Sequence, residues 1–327
     1  MSLQDRGQPV LEAILVSIIS TLAMAGMYMV PFLNSFVFLW PVPIAIVAVK
    51  YNNYWLSGIG LGVAAAVISF LDPSLAIIAV LVFSIMVFIL PWSIKKKPGI
   101  FEGTAMCSAA MFIALIVVLK VLSSMVGQDI FTYSWDAIRQ FFDRGGGDNF
   151  NKVLEMYKKI GLIEHSITGP QFAELLIDKL KVMVPSILII FSMVAGGVDF
   201  LLASVVLKKM QMDAPYIPPF VEWKLPGGTG KGFFTIIVVA FIGALVGIKN
   251  FDIVLSTVLA IFSFIFSIQG LAFSSFLLKM GRIPTWIRVL LLFVFYLFFQ
   301  GILIFMGVFE QMFNIRDNYR NPPTPRI

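Results

Sequence analysis

GQDIFTYSWDAIRQFFDRGGGDNFNKVLEMYKKIGLIEHSITGPQFAELLIDKLK, Gly127 to Lys181, is the one long polar stretch in a chain that is otherwise almost continuously apolar. Phe131, Trp135, Ile138 and Phe142 recur at helical spacing, and Arg144-Gly-Gly-Gly-Asp148 then breaks the pattern. Phe150, Val153, Tyr157 and Ile160 make a second stripe. A third helix starts after Thr168-Gly-Pro170 and continues through Phe172, Leu175, Leu176 and Leu180 into the next apolar run. The segment holds seven basic and eight acidic residues, so it is nearly neutral. Such amphipathic helices suit a membrane interface. They read either as a structural cap over a bundle or as a lid over an outward-facing cavity, with the cap favoured.

Outward from this insertion, composition decides the class. Hydrophobic residues make up 59% and charged residues 13% of 327. Mean hydropathy is +0.94. A water-exposed surface needs more charge than this, whereas a lipid-exposed surface needs almost none. Apolar runs of about 18 residues or more cross a ~30 Å hydrocarbon core as helix. The expected class is therefore an all-α integral membrane protein embedded in a lipid bilayer. The net charge of +6 does not point to nucleic acid, because the basic residues sit at the ends of apolar runs. With Cys107 and His165 as the sole cysteine and histidine, no disulfide framework, metal cluster or cofactor is expected.

Five apolar segments precede the insertion and four follow it. They are Val10–Val30, Phe36–Val49, Trp55–Leu71, Leu75–Ile94 and Thr104–Met125, then Val182–Leu207, Phe233–Ile248, Ile253–Leu278 and Ile287–Phe309. The first resembles a cleavable signal at Ala23-Met24-Ala25 but stays apolar through Val30, which favours an uncleaved span. Phe36–Val49 is short and carries Pro41 and Pro43, so it either crosses as a kinked helix or re-enters. The expectation is about nine transmembrane helices, alternatively eight. The domains are an N-terminal bundle (1–126), the amphipathic insertion (127–181), a C-terminal bundle (182–309) and a polar tail (310–327). With the N-terminus in the cytoplasm, twelve short-loop Lys and Arg fall inside, Lys224 among them. Four fall outside: Lys249 and the tail residues Arg316, Arg320 and Arg326. The insertion then lies on the outer face.

Small residues mark where helices approach closely in lipid. Ala13, Ser17, Thr21 and Ala25 repeat every fourth residue in the first span. Gly58 and Gly62 form a GxxxG in the third, and Ser263, Ser267 and Gly270 lie on one line in the eighth. These are helix-packing faces, or docking faces for a coupling or assembly subunit. An ionisable group inside a span marks a candidate site. Asp199 lies nine residues before Lys208 and shares a small, polar face with Ser192. Asp199, Ser192 and Gln269 are the candidate substrate- or ion-binding residues, and the competing use of each is a hydrogen bond between helices. Pro226-Gly-Gly-Thr-Gly-Lys-Gly232 imitates a P-loop but lacks its first Gly and its Ser/Thr. No nucleophile–base pair or catalytic carboxylate pair appears, so no enzyme is expected.

Pro41-Val-Pro43, Pro218-Pro-Phe-Val-Glu-Trp-Lys-Leu-Pro226, Ile268-Gln-Gly-Leu-Ala272 and Met312-Phe-Asn-Ile-Arg316 together resemble the YybS-like family of bacterial polytopic membrane proteins. That resemblance extends over the whole chain and implies a bacterial cytoplasmic (inner) membrane location. The family in turn is distantly similar to the substrate-binding S-components of energy-coupling-factor transporters. These capture small molecules in a helical bundle and dock through small residues of their first helix, which the Ala13–Ala25 ladder would suit. S-components have about six spans, and this chain has more. The resemblance thus implies transporter-like binding of a small-molecule ligand, with a membrane scaffold or assembly partner as the alternative.

Overall fold

A computed structural model describes residues 3–143, 148–161, 164 and 167–320, and among these every regular element is helical. The sole histidine, His165, and the tail beyond Arg320, including Arg326, lie outside the described residues. α1 (Leu3–Met29) leads into a broken stretch made of α2 (Pro31–Asn34) and a 3-10 turn at Val37–Leu39. There follow α3 (Pro41–Lys50), α4 (Trp55–Ser69), α5 (Pro73–Lys96) and α6 (Ile100–Val126). The polar stretch forms α7 (Ile130–Asp143), α8 (Asp148–Lys159) and the first turns of α9 (Gly169–Lys209). Beyond an extended loop come α10 (Thr229–Leu245), α11 (Phe251–Met280), α12 (Thr285–Phe298), α13 (Gln300–Phe313) and α14 (Ile315–Arg320).

Five helices are long and apolar enough to cross a membrane: Gln8–Met29, α5, α6, α9 and α11. Val37–Lys50, α4 and α10 are apolar but shorter. The expected last span is not one rod, since α12 and α13 meet at Phe299 with a bend of 107°. Length and composition therefore support five crossings, or six with the bent pair, and not the full count of nine.

α1, α3, α4, α5, α6 and α9 pack into one bundle. α3 is its centre: Pro41, Val42, Ile44, Ala45, Val47 and Ala48 are all buried. A ten-residue helix can be this apolar because neighbours on every side cover it. Pro41 starts it at the first position, where no N–H partner is lost. Asp72 caps α5, accepting the N–H groups of Ser74 at 2.7 Å and Leu75 at 3.4 Å. At the end of the bundle bearing Lys50, Lys95 and Lys208, Lys50 Nζ donates to both Glu12 oxygens at 2.7 Å. This ties α1 to α3.

α10 to α13 form a second group, joined to the first through α9 and α11. Its loop starts at the lysine-bearing end, where Asp213 pairs with Lys97. The tail returns to the same loop. Asp317 pairs with Lys224, and Arg316 Nη1 donates to the Val221 carbonyl at 2.8 Å. Lys224 and Arg316 therefore share one side. The charge count that separates them is corrected by these contacts.

The insertion packs by aromatic contact. Phe142 meets Phe150 with ring centroids 4.5 Å apart, and both meet Phe172. Arg139 Nε donates to Glu174 at 2.7 Å. α9 holds 41 residues, so it is about 60 Å long, roughly twice the hydrocarbon thickness. Its first turns carry α7. On α8 the expected stripe splits: Phe150 and Tyr157 are half-buried, while Val153 and Ile160 are exposed and Leu154 is buried instead.

Candidate functional site

The small-residue ladders come first, because they set how closely the walls of any site approach. Ala13, Ser17 and Thr21 are buried inside the bundle. Ser17 Oγ donates to the Gly60 carbonyl at 2.5 Å, and Thr21 Oγ1 accepts from Trp40 Nε1 at 3.1 Å. The first-helix ladder is thus an internal seam, and only Ala25, half-buried, faces a cavity. On α4 the close-approach glycine is Gly60, where a Cβ would stand 2.9 Å from Ile44. Gly62 is exposed with open space beside it, and Gly58 meets only the ring of Phe88. The GxxxG pair therefore makes no intramolecular glycine seam. On α11, Ser267 and Gly270 are buried and Ser263 is half-buried, with Gly270 directly against the Leu303 backbone.

Asp199 sits where α9 crosses α6. Gly196 allows that crossing, since a Cβ there would fall 2.5 Å from the Cys107 backbone. Asp199 is 0% exposed, and neither carboxylate oxygen has a hydrogen-bond partner. The Ser93 hydroxyl on α5 is buried beside the Cys107 thiol, which in turn lies within electrostatic reach of Asp199. Ser192, about two helical turns away, spends its hydroxyl on the Leu188 carbonyl at 2.7 Å. Gln269 is elsewhere: its Oε1 accepts the Leu225 N–H at 2.8 Å and its Nε2 donates to Gln311 at 2.9 Å. Asp199 and Gln269 thus belong to different helix groups. No cluster of three or more metal-binding side chains occurs among the described residues.

The substantial cavity lies at the other end of the bundle, beside the insertion end of α6. It measures about 730 Å³. Its walls are Met24, Ala25 and Tyr28 of α1, the broken stretch Pro31–Phe38, Ile68 to Asp72 at the end of α4, and Leu75 to Phe83 on α5, with Met111, Leu115 and Phe191 behind. It contains none of Asp199, Ser192 and Gln269, and no residue of α7 or α8. The floor is buried, with Phe83 4% and Met111 1% exposed. The rim is open, with Tyr28 52% and Met29 76% exposed. Phe38 anchors the broken stretch on α9 by an edge contact to Phe191 at 6.3 Å. A concave, largely apolar space with a few polar groups is the form of a small-molecule site.

Of the lining residues only Ala25 stands among the sequence-derived candidates. Asp72 directly follows the third apolar segment, and Asn34-Ser35 falls between the first and the second. The available signal was the interruption itself: polar residues between Pro31 and Phe36, in a segment too short to span.

The family described as predicted membrane protein (DUF2232) matches residues 17–309. A Bacillus subtilis (strain 168) protein named "Uncharacterized protein YybS" is 23% identical over 325 residues, covering 94% of this chain and 97% of that protein. No solved structure matches. The match covers most of the chain, the cavity walls included, so the chain belongs to the DUF2232 family of membrane proteins.

Proposed function

We propose that this protein binds a small molecule within the membrane and acts in transport, as an S-component-like substrate-binding subunit and not as an enzyme. The observation that carries this reading is the 730 Å³ cavity, with a buried apolar floor and an open rim, at one end of the six-helix bundle. That bundle joins six helices, α1, α3–α6 and α9, a number matching the six spans of the S-components named above, although α3 and α4 are short for a crossing. The reading places the protein in the bacterial inner membrane with the cavity rim and insertion outward.

Native mass spectrometry of the protein released from its membranes is expected to show a non-lipid adduct. Ala79→Phe, which fills the cavity wall, should reduce its occupancy about tenfold while the helix content stays unchanged. Equal adduct in both proteins, or none in either, would count against the reading.

A second reading, a scaffold for another membrane subunit, is favoured by one surface. Gly62, Ala66 and Ser69 are exposed along α4, and Ala66 and Ser69 border a groove shared with α5. Small residues facing lipid permit a partner's transmembrane helix to approach closely. Gly62→Leu should leave stability within about 0.5 kcal/mol yet remove a copurifying membrane subunit. Gly60→Leu, against Ile44, should cost roughly 1–3 kcal/mol. Retention of every partner by Gly62→Leu would dispose of this surface.

A further inference from the structure

The polar groups of the cavity stand at its rim. Tyr28, Asn34, Ser35 and Asp72 lie where α1, the broken stretch and α4 end, while Phe83 and Met111 close the floor. Among the described residues, Asp72 is the only carboxylate in the lining, and no Lys, Arg or His is present there. Lys120, the basic residue toward the same end of α6, is exposed and outside the lining. Asp72 uses Oδ1 to cap α5, accepting from Ser74 and Leu75. Among the described residues its Oδ2 makes no hydrogen bond or ion pair, and the side chains of Asn34 and Ser35 make none either.

Building on the binding-site reading of this cavity, we propose that the ligand is a lipophilic cation. Its apolar body lies over the buried floor of Phe83 and Met111, with Phe191 at the side, and its positive head meets Asp72 Oδ2, with Asn34 and Ser35 beside it. An anion of the same shape would be desolvated against a carboxylate with no basic group to compensate. A cation gains a charge-assisted contact at the exposed rim of the cavity.

Tetraphenylphosphonium and tetraphenylborate have nearly the same shape and opposite charge, which makes them the probes. The full chain in phosphatidylcholine nanodiscs is titrated with each, and uptake by empty nanodiscs is subtracted. Tetraphenylphosphonium is expected to bind saturably and tetraphenylborate to stay at the empty-disc level. Asp72→Asn should weaken tetraphenylphosphonium about tenfold without moving the melting temperature, because Asn still caps α5. Ala79→Phe should abolish its binding. Equal binding of both ions, unaffected by Asp72→Asn but lost in Ala79→Phe, overturns the cation class and leaves the cavity reading standing. Saturable binding of neither ion overturns the cation class as well, and the copurified adduct then decides the cavity reading separately.

Discussion

Gly307→Ala and Gly270→Ala should each destabilise the C-terminal helix group by about 3 kcal/mol or more. The reason is reciprocal backbone contact. A Cβ on Gly270 would overlap the Leu303 carbonyl, and a Cβ on Gly307 would overlap the Phe266 carbonyl. Backbone in the middle of two helices cannot rotate away as a side-chain tip can, so α11 and α13 would have to separate. Their separation loses dispersion contacts along the whole seam. In lipid, packing of this kind is the main force between helices, because the tails are as apolar as the side chains. Gly301→Ala, on the same α13 with open space around it, is the control and should stay within about 0.5 kcal/mol. Thermal unfolding in mild detergent reads all three. If Gly307→Ala melts with Gly301→Ala, the seam is not as close as described.

Arg316→Met is the second large effect, at about 3–5 kcal/mol. Arg316 Nε donates to Glu310 Oε1 at 2.8 Å, and the two side chains are 5% and 0% exposed. Removing the guanidinium leaves the Glu310 carboxylate buried without a partner and frees the Val221 carbonyl. The loop 218–226 and the tail should then detach together and become sensitive to protease. Glu310→Gln combined with Arg316→Met should recover most of the loss, since neither charge remains to be desolvated. Lys224→Ala tests the neighbouring pair with Asp317, whose aspartate is well exposed, and should cost less than about 1 kcal/mol. Arg316→Met behaving like Lys224→Ala would remove the buried pair from the account of how the tail is held.

Much of the helix content was legible in residue order. Asp72-Pro73 and Thr168-Gly-Pro170 carry their capping chemistry locally, and α5 and α9 begin at them. The break at Phe299 was not legible. Ile287–Phe309 has no proline, and Gln300-Gly301, directly after the break, is a weak local signal that does not by itself distinguish a straight span from two limbs at 107°. The glycines show the same division. Gly58 and Gly62 have the familiar spacing, yet Gly60 makes the contact, because the rotation of α4 against α1 and α3 decides which face is inward.

The site divides similarly. A lone carboxylate in a span, Asp199, stands out by composition, whereas Asp72 looks like punctuation. Cavity walls come from four separate stretches of chain, and no spacing rule relates Ala25 to Ala79 or Met111 to Phe191.

What the amino-acid order determined alone was the membrane class, the helical segments, the polar insertion and the capped ends. Hydropathy and backbone hydrogen bonding act within a segment, so each segment declares them. Tertiary structure alone decided which faces meet, that the tail returns to Lys224, that Asp199 is enclosed, and that a cavity opens beside Asp72. In a bilayer every outward face is apolar whatever lies behind it. The inward face of each helix is therefore set by shape complementarity between helices, which a linear pattern of apolar residues does not encode.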